Sequence, residues 1–291
     1  MTGHPSDLGR VPMTSRFPVE ALDRIEACVA AAGVSELMSR FRRLSDDEVQ
    51  RKTSAFDVVT AADEAAEQAI GEFLATAFPG AVMIGEESAG RDPALLGRIV
   101  HADLCFVVDP LDGTKNFSAG LPLFGTMVAV VERGEVVAGV IHDPVTRSSA
   151  LAVTGAGAWV REPGREDRRL RVAAPVAVNS IEGIVGTNFL PEPLRSRVNG
   201  NLSRLYMTNW FRCSAHEYRL AAAGHTHVLL YNKLMPWDHA AGWLLHREAG
   251  GYSAHFDGSA YLPSHTTGGL LCAPDEASWR AVREALFGEP L

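Results

Sequence analysis

The sequence predicts a mixed fold of the α+β class on three observations. Segments with apolar residues at helical spacing are interspersed with apolar runs of only four to six residues, the length of strands. Apolar residues make up 46% of the 291, enough for one large core or two smaller ones. No internal repeat or low-complexity tract points to a solenoid or a fibre.

The elements follow in order. Met1 to Glu20 carries Pro5, Pro12 and Pro18 with no apolar core, so residues 1–20 read as a loose tail rather than a signal peptide. Leu22, Ile25, Cys28, Val29 and Ala32 predict a helix from Val19 towards Phe41, interrupted or ended near Gly33. Arg40, Arg42, Arg43 and Lys52 come next, the arginines as a solvated basic face. Ala61 to Phe78 is a second helix, stopped by Pro79-Gly80. Strand-sized runs follow at Ala81–Ile84, Cys105–Val108, Thr126–Val131 and Val136–Ile141, the last two joined by a hairpin turn at Gly134. Ala150–Val153 and Ala158–Val160 flank a Gly155-Ala156-Gly157 turn, and the charged stretch Pro163 to Arg171 is a surface loop. Beyond it the pattern gives a strand at Ile181–Thr187 and helices at 191–202 and 215–223. A strand at Val228–Tyr231 and helices at 239–249 and 277–287 complete it. A change of character near residue 150 suggests two halves, 21–150 and 151–291.

Lys+Arg 27 against Asp+Glu 35 gives a formal charge of −8. That balance excludes a chain that holds a polyanion by its own cations, so direct nucleic-acid binding is not expected. An acidic protein that meets phosphate needs metal ions. Four cysteines without a CxxC pair exclude a zinc knuckle and read as isolated buried thiols. No apolar run reaches the roughly 18 residues of a membrane span, and a cytoplasmic protein is the expectation.

Three acidic motifs stand at strand ends and helix starts. In Asp109-Pro110-Leu111-Asp112-Gly113-Thr114, a buried strand is expected to end at Asp109 because Pro110 interrupts it, and a helix start follows Gly113. Gly85-Glu86-Glu87-Ser88 follows another strand, and Trp237-Asp238-His239-Ala240-Ala241-Gly242 places Asp238 at a helix start. Each alone reads as a turn, a surface acid or an N-cap. Together, Glu86, Asp109, Asp112 and Asp238 supply the oxygen donors that hard divalent cations prefer, with magnesium the best match.

These three motifs, in this order and spacing, resemble the signatures of the inositol monophosphatase superfamily. Asp57-Val58-Val59-Thr60-Ala61-Ala62-Asp63 and Glu248-Ala249-Gly250-Gly251 are similar to two further family segments, so the likeness runs from Lys52 to Gly251. The resemblance implies an αβαβα sandwich of the sugar-phosphatase type, alternating layers of helices and sheets. It also implies a lithium-sensitive phosphomonoesterase using two or three Mg2+ ions, commonly as a homodimer. Carried over by position, Glu86, Asp109 and the Leu111 carbonyl bind a first metal, and Asp109, Asp112 and Asp238 a second. Thr114, hydrogen-bonded to Asp63, orients the attacking water. The Gly113 and Thr114 N–H groups and Lys52 meet the phosphate.

The substrate pocket departs from the pattern. Inositol-hydrolysing members carry an acid seven positions before the third-motif Asp, where this chain has Tyr231. The segment Arg212-Cys213-Ser214-Ala215-His216-Glu217 occupies the pocket-lining region without the usual Gly-Ser-Ala-Ala wording, making Arg212 and Glu217 pocket candidates. Lys233 reads as a surface lysine or a contact for a second phosphate. His225, His227 and His239 are not assigned as ligands. The expected substrate is a small polyol or sugar phosphate, nominally inositol monophosphate. Alternatives are 3′-phosphoadenosine 5′-phosphate, histidinol phosphate and fructose 1,6-bisphosphate, or a regulatory binding protein of the same fold.

Overall fold

The computed structural model describes residues 17–43 and 61–288, with the backbone of 49–51 and 58–60. Lys52 and Asp57 lie outside the described residues, as does most of the expected tail. Phe17 and Val19 belong to the folded body rather than to that tail. Phe17 is buried with its ring 6.2 Å from that of Phe78.

Helices α1 (Val19–Ala32) and α2 (Ala61–Ala77) precede the first large sheet. Near Gly33 the first helix is not ended but loosened, passing into a wider π-type segment over Gly33–Met38. Strands β1 (Val49–Arg51) and β2 (Val58–Thr60) form a small antiparallel pair before α2. The seven-stranded sheet runs in sequence order through β3 (Val82–Gly85), β4 (Cys105–Asp112), β5 (Gly125–Glu132), β6 (Glu135–Asp143), β7 (Ser148–Val153), β8 (Gly157–Arg161) and β9 (Arg168–Arg169). Two short helices grow from it, α3 (Glu86–Arg91) after β3 and α4 (Thr114–Ser118) after β4.

The second sheet has the order β11-β10-β12-β14-β13, from β10 (Glu182–Val185), β11 (Met207–Asn209), β12 (Val228–Tyr231), β13 (Tyr252–Ala254) and β14 (Leu270–Ala273). Its helices are α5 (Leu194–Asn201), α6 (Ser214–Ala222), α7 (Pro236–Glu248) and α8 (Glu276–Phe287). Residue 150 falls inside β7, so the change of sheet comes between 169 and 182.

Strand alternation dictates the layers, because successive side chains point to opposite faces. Phe106, Val108, Val128, Val130 and Leu151 face α1 and α2, packing on Leu22, Ile25 and Ile70. Their sequence neighbours Val107, Met127, Ala129 and Ala152 face the other way, onto Tyr218, Ala241 and Leu244 of α6 and α7. The second sheet closes the same core with Leu229 and Cys272, and turns Val228, Leu230 and Leu271 onto Val282 and Leu286 of α8. The result is the alternating α, β, α, β, α arrangement. Small residues let α7 lie close in the middle layer: a Cβ on Gly242 would sit 2.0 Å from the Tyr218 ring.

Three expectations need correction. The strand expected to end at Asp109 continues to Asp112, because the register with β5 shifts between those residues and the Pro110 carbonyl accepts from Thr126 Oγ1 at 2.9 Å. A bulge is where a strand tolerates a residue without an N–H. Helix α7 begins at Pro236 rather than His239, so Asp238 lies in its first turn and Met235 holds the N-cap. Within the stretch read as a charged loop, Arg168 and Arg169 add a short edge strand to β8.

Buried His246 donates or accepts at Ser253 Oγ, 3.0 Å away, and burial pushes its pKa from 6.5 to about 4. A folded pKa below the unfolded one means that protons bind the unfolded chain first as pH falls from 6.5 towards 4, so stability is lost over that window. Relative to His246→Gln, the wild type should therefore lose roughly 3 kcal/mol of advantage between about pH 7.5 and pH 4. Calorimetry of both proteins checks this; an unchanged difference would mean that the ring is not held neutral by the fold.

Candidate metal and phosphate site

Asp109, Asp112 and Asp238 each offer a carboxylate oxygen, and the three lie within 4.8 Å of one another. They are the one such group of three or more His, Cys, Asp or Glu side chains among the described residues. The fold explains the convergence: Asp109 and Asp112 sit on the bulged end of β4, and α7 presents Asp238 from the middle layer. Asp109 is buried, and its carboxyl is held well above the usual range by burial, then by Glu86, Asp112 and Asp238. Glu86, half-buried at the start of α3, thus acts on the same carboxyl as Asp112 and Asp238 do. Crowded, desolvated carboxylates repel one another unless protons or cations intervene. Oxygen-only donors of this kind fit a hard divalent cation.

Asp112 is oriented from the same middle layer. Its Oδ2 accepts the Ala215 N–H at 2.5 Å and the Cys213 thiol at 3.2 Å, so the start of α6 takes that oxygen and not Oδ1. Burial raises its pKa, while the Ala215 N–H and the Cys213 and Ser214 side chains act in the opposite sense. Asn116 ties the two walls together, its Nδ2 donating to the carbonyls of Leu123 at 2.9 Å and Phe211 at 2.8 Å.

Thr114 opens α4. Its Oγ1 lies 3.1 Å from Asp63 Oδ1 and 3.0 Å from the Leu111 carbonyl oxygen. Asp63 is buried in the first turn of α2. Gly113 turns strand into helix at φ 88°, and a Cβ there would stand 2.8 Å from the Leu123 carbonyl, so only glycine fits. Asp63, Glu86, Asp109, Leu111, Asp112, Gly113, Thr114 and Asp238 therefore occupy one neighbourhood.

The pocket candidates are placed differently. Glu217 is 1% exposed and its Oε1 accepts the Phe211 N–H at 3.0 Å, so it braces the 211–213 turn from inside. Burial brings its pKa up to about 7. The buried Tyr231 hydroxyl lies beside Glu217, without a well-formed hydrogen bond, and its ring packs 4.6 Å from that of His239. Arg212 is exposed and holds a left-handed φ of 58°, an uncommon conformation for a side chain larger than glycine. His239 spends both ring nitrogens on structure, Nε2 donating to the Lys233 carbonyl at 2.9 Å and Nδ1 facing Tyr218 Oη at 3.1 Å. The Lys233 side chain is exposed and lines a separate cavity of about 630 Å³ with Phe189, Asn232 and Phe256. His227 Nδ1 meets the Glu182 N–H, away from the acids.

Sequence reasoning missed the grip of Cys213 and Ala215 on Asp112, and the buried Glu67. Glu67 alone left a signal, four residues after Asp63 on the same helical face.

The profile of the inositol monophosphatase family matches residues 19–286. A Nus factor SuhB of Pasteurella multocida is 33% identical over 266 residues, covering 88% of this chain and 91% of the relative. An inositol-1-monophosphatase of Mesorhizobium japonicum is 32% identical over 241 residues, covering 79% and 83%. The crystal structure of an extragenic suppressor protein suhB from Bartonella henselae superposes with a TM-score of 0.78 at 28% identity, covering 92% of this chain and 98% of that one.

Proposed function

This chain belongs to the inositol monophosphatase family, and we propose that it hydrolyses a small polyol or sugar phosphate monoester with Mg2+, inositol monophosphate being the nominal substrate. The observation that carries this reading is the convergence of Asp109, Asp112 and Asp238 within 4.8 Å beside the Thr114–Asp63 pair. Glu86, Asp109 and the Leu111 carbonyl are the proposed holders of one cation, and Asp109, Asp112 and Asp238 of a second. A divalent cation held there would lower the pKa of water and offset the charge of a phosphate. Two or three ions, inhibition by Li+ and a homodimer complete the proposal.

The protein's own groups do the rest. With its proton directed to Asp63 and the Leu111 carbonyl, Thr114 Oγ1 keeps a lone pair that would accept a hydrogen bond from a neighbouring water and so aim that water's oxygen at phosphorus. The Gly113 and Thr114 N–H groups are the proposed donors to phosphate oxygens. The bulge in β4 matters here because the strand's register shifts between Asp109 and Asp112, the stretch that carries Asp109, Leu111 and Asp112 within four residues of chain.

The test is phosphate release from inositol 1-phosphate, fructose 1,6-bisphosphate, histidinol phosphate and 3′-phosphoadenosine 5′-phosphate, with Mg2+ titrated and Li+ added. Mg2+-dependent, Li+-inhibited release from one of them is expected. No release from any, with capture of a transcription partner instead, would favour the regulatory reading that the relative named as a Nus factor raises. Thr114→Ala should lower kcat about a hundredfold while leaving the Mg2+ midpoint in place. A shifted midpoint with normal kcat would remove the water-orienting role.

A further inference from the structure

Glu67 stands one helical turn after Asp63 on α2, and both carboxyl groups are buried. Residues four apart share a helix face. From that face Asp63 reaches Thr114, and Glu67 reaches the opposite wall of the same site. Its Oε2 accepts the Glu87 N–H at 2.8 Å and its Oε1 accepts the Ser88 N–H at 2.9 Å. These donors belong to the first turn of α3, whose first residue is Glu86.

A buried carboxylate is costly unless its oxygens are satisfied, and the N–H groups of a helix's first turn have no partner within the helix. Glu67 and α3 therefore complete each other through two charge-assisted hydrogen bonds. The sequence leaves room for this. A Cβ on Gly85 would fall 2.2 Å from Glu67 Cδ, so the clamp forms because residue 85 lacks one. Ser88 locks the turn from the other side, its Oγ meeting the Gly85 N–H at 3.0 Å and the Gly85 carbonyl at 3.2 Å. Arg91 Nη2, 3.9 Å from Glu67 Oε1 and well exposed, adds little.

We infer that Glu67 is a positioning residue for Glu86: its carboxylate clamps the turn that carries this acid, so one face of α2 sets both the Thr114 hydroxyl and the fourth acid of the site. The inference rests on the metal role proposed for Glu86. It extends that role to a group that touches neither cation nor substrate.

The test uses the full chain and two readouts, the rise in Tm with Mg2+ and the Mg2+ midpoint of phosphate release. In Glu67→Gln the side chain keeps its size but offers an NH2 to an N–H, which opens the clamp on one side. Loss of such outer partners weakens metal affinity about tenfold or more, so both midpoints should move by that factor, with kcat at saturating Mg2+ changing far less. Gly85→Ala should act alike by displacing the carboxylate, and should add little in a Glu67→Ala background, where the Cβ has space. Glu64→Gln, an exposed change on the same helix, should leave both midpoints alone.

A Glu67→Gln protein with lowered Tm but a wild-type Mg2+ midpoint would reduce Glu67 to a helix cap and overturn the inference. Equal effects of Gly85→Ala with and without Glu67 would do the same. A wild type whose Tm ignores Mg2+ would overturn the metal reading and this inference together, whereas a responsive wild type matched by Glu67→Gln overturns the positioning role alone.

Discussion

Asp109→Asn is expected to raise the Tm of the metal-free protein while lowering turnover about a thousandfold. The two effects have opposite signs because the same charge is a burden without cations and a requirement with them. Asp109 is buried, and burial, Glu86, Asp112 and Asp238 all push its pKa upward, in that order. An asparagine resembles the protonated acid: neutral, of the same shape, and able to donate to Asp238. It removes the repulsion and also removes the anionic oxygen proposed to serve both cations.

The pH dependence follows from the same shift. With a folded pKa above that of the unfolded chain, the folded state binds the extra proton, so its stability is fullest in acid and declines as pH rises above the ordinary carboxylate range. The metal-free wild type should therefore lose Tm more steeply than Asp109→Asn as pH rises above about 4. Saturating Mg2+ should reverse the ranking, raising the wild-type Tm by linkage and leaving the variant unmoved. Calorimetry with chelator and then with Mg2+ checks both halves. A metal-free variant less stable than wild type would show that the acids are not in mutual repulsion.

Where the chain carries local information, its reading matched the molecule. Val107 and Val108, or Val128 and Ala129, are adjacent apolar residues that go to opposite faces, and runs of such residues read as strands buried on both sides. Three of the site's acids stand at or near an element boundary that glycine or proline makes visible: Gly85 before Glu86, Gly113 after Asp112, Pro236 before Asp238. What was not legible depends on contacts between distant segments. Cys213 and Ala215 meet Asp112 across 101 and 103 residues, and one of those contacts is a backbone N–H that any residue but proline would supply. Leu270–Ala273 differs, because its four apolar residues after two glycines carry the same strand signal as Val228–Tyr231 and its absence from the expected elements is an oversight. Pro110 misled for the opposite reason. Its local rule, that proline ends a strand, was overridden by a bulge that depends on the partner strand. Glu217 is a pocket candidate because its segment occupies the region that lines the pocket in the family it resembles, whereas its carboxyl is turned inward to Phe211.

That long-range grip makes Asp112→Asn the more informative loss at the second proposed cation site. The Ala215 N–H and the Cys213 thiol both require an acceptor, and Asp112 Oδ2 provides it. An asparagine has one acceptor oxygen, which those donors will claim, because a buried N–H facing an NH2 group costs about 1–3 kcal/mol. The amide nitrogen then turns towards Asp109 and Asp238, where a cation needs oxygen. Substitution thus reverses the ligating atom as well as removing charge, and turnover should fall about a thousandfold with the fold intact. Cys213→Ala removes one of the two competing donors but leaves Ala215 in place. It should therefore weaken Mg2+ binding only modestly in the wild-type background and should not rescue Asp112→Asn. Mg2+ titrations of Tm and of phosphate release on the three variants measure these effects. Recovery of turnover in the double variant would mean that the Cys213 thiol, rather than the start of α6, decides which way residue 112 points.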